Sequence, residues 1–86
     1  MTNRKAIGIL ETEGVTPLVK GADSASKAAN VELVDWNRIG GGYVSFVFEG
    51  EVSAVQSAMD AAKESASTVG DIVSSLVISR PIEDIE

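Results

Sequence analysis

The stretch from Val31 to Glu49, VELVDWNRIGGGYVSFVFE, decides the fold. Val31 to Ile39 reads as a strand, Gly40-Gly41-Gly42 breaks it, and Tyr43 to Glu49, rich in β-branched and aromatic residues, is the strongest strand in the chain. Upstream, Lys5 to Leu10 (KAIGIL) is short, apolar and β-like, and ends at the polar Glu11-Thr12-Glu13-Gly14. Val15, Leu18, Val19, Ala22, Ala25 and Ala29 then recur at steps of three or four, which predicts a helix with one apolar stripe. Pro17 falls in its first turn, where a missing N–H has no partner to lose, and Asn30 is placed to end it as a left-handed cap. Downstream, Glu49-Gly50-Glu51 reads as a turn. Val52, Val55, Met59, Ala62, Ala66 and Val69 then mark a second amphipathic helix, closed by Gly70. Ile72 to Ser79 alternates as a last strand, with Ile72, Leu76 and Ile78 assigned to one face, and Arg80-Pro81 stops it.

The resulting order is β-α-β-β-α-β. It predicts an α+β member of the α/β folds, a ferredoxin-like antiparallel sheet with both helices on one face. The 86 residues make one domain, 1–86, with a core at about 5–81 and an acidic tail at 82–86. A fold this small buries only about 60–65% of the surface of its unfolded chain, so self-association is a physical expectation. The helices are rich in small residues (Ala58, Ala61, Ala62, Ser65, Ala66), which fits helix propensity and also close packing.

Charge and composition exclude several activities. Seven Lys and Arg against 13 Asp and Glu give a net charge of −6, which lacks the basic footprint of a nucleic-acid binder. No Cys and no His occur, so thiolate metal sites, cysteine nucleophiles and the commonest general base are absent from the sequence. No apolar run approaches the ~18 residues of a membrane span, and Met1 to Lys5 leads directly into the first strand without a secretion-type apolar region. The composition therefore points to a cytosolic, non-catalytic, self-associating domain with no cofactor or metal. Glu11 and Glu13 sit in a polar loop setting and read as solvated surface rather than as a catalytic pair.

Five strings in register go further than the fold order. They are Ala6-Ile7-Gly8-Ile9-Leu10-Glu11-Thr12 with Gly14, Ala22-Asp23-Ser24-Ala25-Ser26-Lys27-Ala28-Ala29-Asn30-Val31, Ile39-Gly40-Gly41-Gly42, Glu49-Gly50-Glu51-Val52, and Val77-Ile78-Ser79-Arg80-Pro81. In their order and spacing the chain resembles the hexamer-forming shell proteins of bacterial microcompartments over about residues 5–86. The resemblance implies a flat homohexamer that tiles edge to edge into a layer in the bacterial cytoplasm. Its implied partners are further copies, other shell proteins and encapsulated enzymes. Small polar metabolites would pass a pore on the six-fold axis, and there is no catalytic site.

The resemblance also gives roles to particular residues. Gly40, Gly41 and Gly42, read alone, fit a hairpin turn or a close backbone approach; the resemblance maps them to the pore, with Gly41 nearest the axis. Arg38 would add positive potential at one mouth if it points inward, and is otherwise a solvated strand residue. Lys27, with Asp23 four residues earlier, reads alone as half of a helical ion pair; the resemblance places it with Asn30 and Arg80 on the hexamer rim. Trp36 and Ile82 depart from the family pattern, and for Trp36 plain packing and a contact with another protein both remain open. Two other readings of the same fold order compete. One is a small oligomeric regulatory ligand-binding domain. The other is an acylphosphatase-type enzyme, which would want an anion-binding arginine where Glu11-Thr12-Glu13-Gly14 stands.

Overall fold

The computed structural model describes residues 5–80, and side chains from Lys5 to Ser79. The elements are β1 (Lys5–Glu13), α1 (Val15–Ala28), β2 (Glu32–Gly40), β3 (Tyr43–Glu51), α2 (Val52–Ala66) and β4 (Ile72–Arg80). The strands form one antiparallel sheet in the order β2-β3-β1-β4. The expected β-α-β-β-α-β architecture is therefore present, with the first and last strands side by side near one edge.

Both helices lie on the face formed by Ala6, Leu10 and Thr12 of β1 and Val44, Phe46 and Phe48 of β3, all buried. Phe48, Leu10, Leu18, Met59 and Val55 fill the centre, and Phe46 meets Phe48 edge to face at 5.8 Å. Ala25, Ala58, Ala62 and Ala66 are fully buried, so the small residues serve close helix packing as well as propensity. The hydroxyls of Ser24 on α1 and Ser65 on α2 bond to each other across the helix pair.

Several boundaries differ from the sequence reading. β1 runs on through Glu13, because Thr12 pairs with Val44 and Ile72 and Glu13 with Tyr43; Thr12 is fully buried and its hydroxyl donates to the Gly14 carbonyl at 2.9 Å. Glu49-Gly50-Glu51 is strand rather than turn, since β3 stays paired with β1 as far as Lys5. Helix α1 ends at Ala28, with Ala29 extended at φ −157°; among the described residues no non-glycine has a positive φ, so Asn30 is not a left-handed cap. Helix α2 stops at Ala66 rather than Val69, where Ser67 and Thr68 turn their hydroxyls onto the carbonyls of Glu64 and Ser65 at 2.9 and 2.7 Å. Gly70 is not left-handed either; a Cβ there would stand 2.6 Å from Pro17 Cγ, so its function is close approach. Finally, a bulge pairs Glu11 with Ser74 but Thr12 with Ile72. Ile72 thereby joins the core, whereas Leu76 and Ile78, opposite Ile9 and Ile7, belong to the open face.

Candidate functional site

The three glycines form the tip of the β2–β3 hairpin. Gly40 pairs with Tyr43, leaving Gly41 and Gly42 as a two-residue turn. Their φ values are +64° and +86°, and that of Gly40 is +110°. A Cβ at Gly40 or Gly42 would meet nothing within 4 Å. The demand for glycine is thus conformational and not steric, as tight right-twisted hairpins require. The tip is exposed, and the Gly42 carbonyl accepts the Gly14 amide at 2.8 Å. Arg38, two residues before the tip, is exposed and pairs with Val44. Its guanidinium carbon lies 5.9 Å from the centroid of the Trp36 ring.

The other named residues stand at the far end of the sheet. Strand β1 begins there, with Lys5 opposite both Glu51 and Arg80. Eight steps of strand at ~3.3 Å separate this end from the glycines, a distance of about 26 Å. Asn30 is exposed and lines a groove of about 520 Å³ with Lys5, Glu32, Glu49 and Glu51. Lys27 lies in the last turn of α1, which starts beside the hairpin tip and runs away from it. Its Nζ is 3.1 Å from Asp23 Oδ2, and both side chains are exposed. Arg80 closes β4; its side chain, Pro81, Ile82 and the acidic tail lie outside the described residues, as does the start of the chain.

The sequence reading missed the exposed apolar surface. Every residue of β2 is exposed, including Leu33, Val34, Trp36 and Ile39. Val15 and Val19, assigned to the buried stripe of α1, are 43% and 55% exposed. They face Leu33 and Trp36 across an apolar groove of about 260 Å³ floored by Leu18 and Phe46. At the opposite edge, Val73, Leu76 and Ile78 are also exposed, and Leu76 and Ile78 continue onto the half-buried Ile9 and Ile7, and through Ile9 onto Val47, of the open face. The signal was present as apolar residues on both faces of β1 and β2, beyond what one helical layer can cover.

Nothing in the described residues resembles a catalytic centre. Glu11 is half-buried between Ser45 and Ser74, Glu13 and Asp60 are exposed, and no group of three acidic residues is arranged to hold a metal among the described residues. Among the described residues no helix is long and apolar enough to cross a membrane.

Comparison with known proteins agrees with this geometry. The BMC domain family model matches residues 6–81. The bacterial microcompartment shell protein PduA of Citrobacter freundii is 41% identical over 83 residues, covering 96% of this chain and 89% of its own. Carboxysome shell protein CsoS1A of Hydrogenovibrio crunogenus is 40% identical over 82 residues, covering 94% and 85%. The crystal structure of a microcompartments protein from Desulfitobacterium hafniense superposes with a TM-score of 0.78 at 27% identity, over 86% of this chain and 40% of that one. Shell proteins are structural and not enzymatic. With the family model spanning nearly the whole described sheet and both helices, the chain belongs to the BMC domain family of bacterial microcompartment shell proteins.

Proposed function

We propose that this protein is a tile of a microcompartment shell in the bacterial cytoplasm: six copies close into a ring, and rings join edge to edge into a layer. The observation that carries this reading is that one sheet has two unlike apolar edges. The β2 edge offers Leu33 and Trp36 against Val15 and Val19 of α1, and the β4 edge offers Val73, Leu76 and Ile78. Unlike surfaces on opposite edges favour head-to-tail contacts, which close into a ring when the rotation allows. Each half-exposed side chain of this size contributes on the order of 1 kcal/mol when covered.

The long axis of the sheet supports the rest. The slab measures 40 × 25 × 15 Å, with the glycine tip at one end and Asn30, Lys27 and the Arg80 backbone toward the other. In a ring with strands running outward, Gly40, Gly41 and Gly42 meet at the axis, while Lys27, Asn30 and Arg80 reach the perimeter and the next ring. With no side chain at the tip, clustered peptide N–H groups give the opening a partial positive character that suits small polar metabolites. Arg38 stands near one mouth. Other shell proteins and the enclosed enzymes complete the list of partners.

Native mass spectrometry and negative-stain electron microscopy test the reading together. Six-fold mass and hexagonal layers are expected. A lone chain at micromolar concentration with no lattice in any buffer overturns it, and a dimer returns the chain to the regulatory ligand-binding class.

A further inference from the structure

We propose that Thr12 and Gly14 are positioning residues of the Gly40–Gly42 tip. The tip has no side chains to pack, open space around Gly40 and Gly42, and three successive residues that glycine alone adopts without strain. Such a segment is held only by what its peptide groups bond to. Outside its own hairpin, one bond reaches it among the described residues: the Gly14 amide donates to the Gly42 carbonyl at 2.8 Å.

Gly14 is itself fixed from both sides. It joins β1 to α1 at φ +95°, ψ 154°, and its carbonyl accepts from Thr12 Oγ1 at 2.9 Å. Thr12 is fully buried between Val44 of β3 and Ile72 of β4, so its hydroxyl has little freedom to do anything else. The neighbouring Glu13 amide donates to the Asp71 carbonyl at 3.3 Å, which ties the same turn to the chain entering β4. A buried strand residue thus orients Gly14, and Gly14 orients the tip of a hairpin to which neither belongs. The tether also decides which peptide groups stay available. With the Gly42 carbonyl engaged, the turn residues present the amides of Gly41 and Gly42 against the single carbonyl of Gly41, and no loop hydrogen bond reaches these three among the described residues. The tether itself stands apart from assembly; only its consequence for an opening rests on the ring reading above.

Amide hydrogen exchange tests it without depending on that ring. In the parent protein the Gly14 amide is expected to exchange at least about tenfold slower than an unstructured glycine amide. In Thr12→Val, which removes the hydroxyl and keeps the shape, Gly14 is expected to exchange about five- to tenfold faster than in the parent, with exchange over residues 40–43 rising too. Thr12→Ser, which retains the hydroxyl, is expected to restore the parent rates. A parent Gly14 amide exchanging at the unstructured rate overturns the tether, even if Thr12→Val fails to fold. Equal rates in Thr12→Val and Thr12→Ser, or an acceleration spread evenly over the core strands, overturns the assignment of Thr12. Rings that form normally while these rates stay flat would remove this inference and leave the tile reading intact.

Discussion

The guanidinium carbon of Arg38 lies 5.9 Å from the centroid of the Trp36 ring, both side chains projecting from the helix-facing side of the uncovered edge strand β2. A cation at this distance is attracted by the ring face, by ~0.5–1 kcal/mol at an exposed site. The pair therefore links the apolar groove beside α1 with the approach to the glycine tip. Trp36 is 50% exposed, so it contributes modestly within one chain and more when another copy covers it. Trp36→Ala is expected to change the stability of the isolated fold by about 1 kcal/mol or less while shifting the assembly toward smaller species. Sedimentation velocity and thermal unfolding check this together. A large drop in melting temperature with unchanged mass would place Trp36 in the monomer core instead.

Lys27 and Asp23 form an exposed ion pair one turn apart on α1. Such pairs contribute less than about 0.5 kcal/mol, so Lys27→Ala is nearly silent for the fold. If rings join edge to edge as proposed, a side chain on the rim packs its aliphatic stem along the seam and places its charge at the neighbouring perimeter. Soluble rings that fail to form sheets are therefore expected from Lys27→Ala, read by electron microscopy of matched samples. Sheets as extensive as those of the parent would remove Lys27 from the seam.

How far the sequence was legible follows from which forces are local. Tyr43 to Phe48 was readable because the preference of β-branched and aromatic side chains for a strand acts locally, within the segment itself. Thr12 was not: its strand character comes from pairing with Val44 and Ile72, which are distant in the chain. The face of Ile72 was misassigned for a similar reason, since the bulge beside Thr12 is a property of two paired strands. Asn30 and Gly70 looked like helix caps by residue type, but Ala29 turns extended and Gly70 yields to Pro17 instead. At the site, the glycine turn was legible from composition, whereas its bond to Gly14 was not. The roles proposed for Lys27, Asn30 and Arg80 came from family resemblance alone, because single polar residues leave no periodic trace.

The helix pair offers a test of packing. The Ser24 and Ser65 hydroxyls satisfy each other where the helices meet. Removing one leaves the other half-buried without its partner, at a cost of ~1 kcal/mol, while removing both leaves no orphan. Ser24→Ala and Ser65→Ala are each expected to be destabilising, with the double variant less so than their sum. Denaturant melts at fixed protein concentration give the coupling. Strict additivity would show that the two hydroxyls act independently.

Gly41 separates conformational strain from steric obstruction at the tip. At φ +64° any other residue is strained by roughly 1–2 kcal/mol, yet a Cβ would meet only the Tyr43 ring, at an ordinary 3.7 Å. Gly41→Ala and Gly41→Leu therefore bear similar backbone strain and differ mainly in how far the side chain reaches. If the tips of several copies line an opening, Leu obstructs it and Ala does so much less. Rings of unchanged mass are expected from both. Small-molecule exchange across assembled shells is expected to slow more for Gly41→Leu than for Gly41→Ala. Equal flux in Gly41→Leu, Gly41→Ala and the parent would place the glycines away from the path, and the three positive φ angles would then serve the hairpin alone.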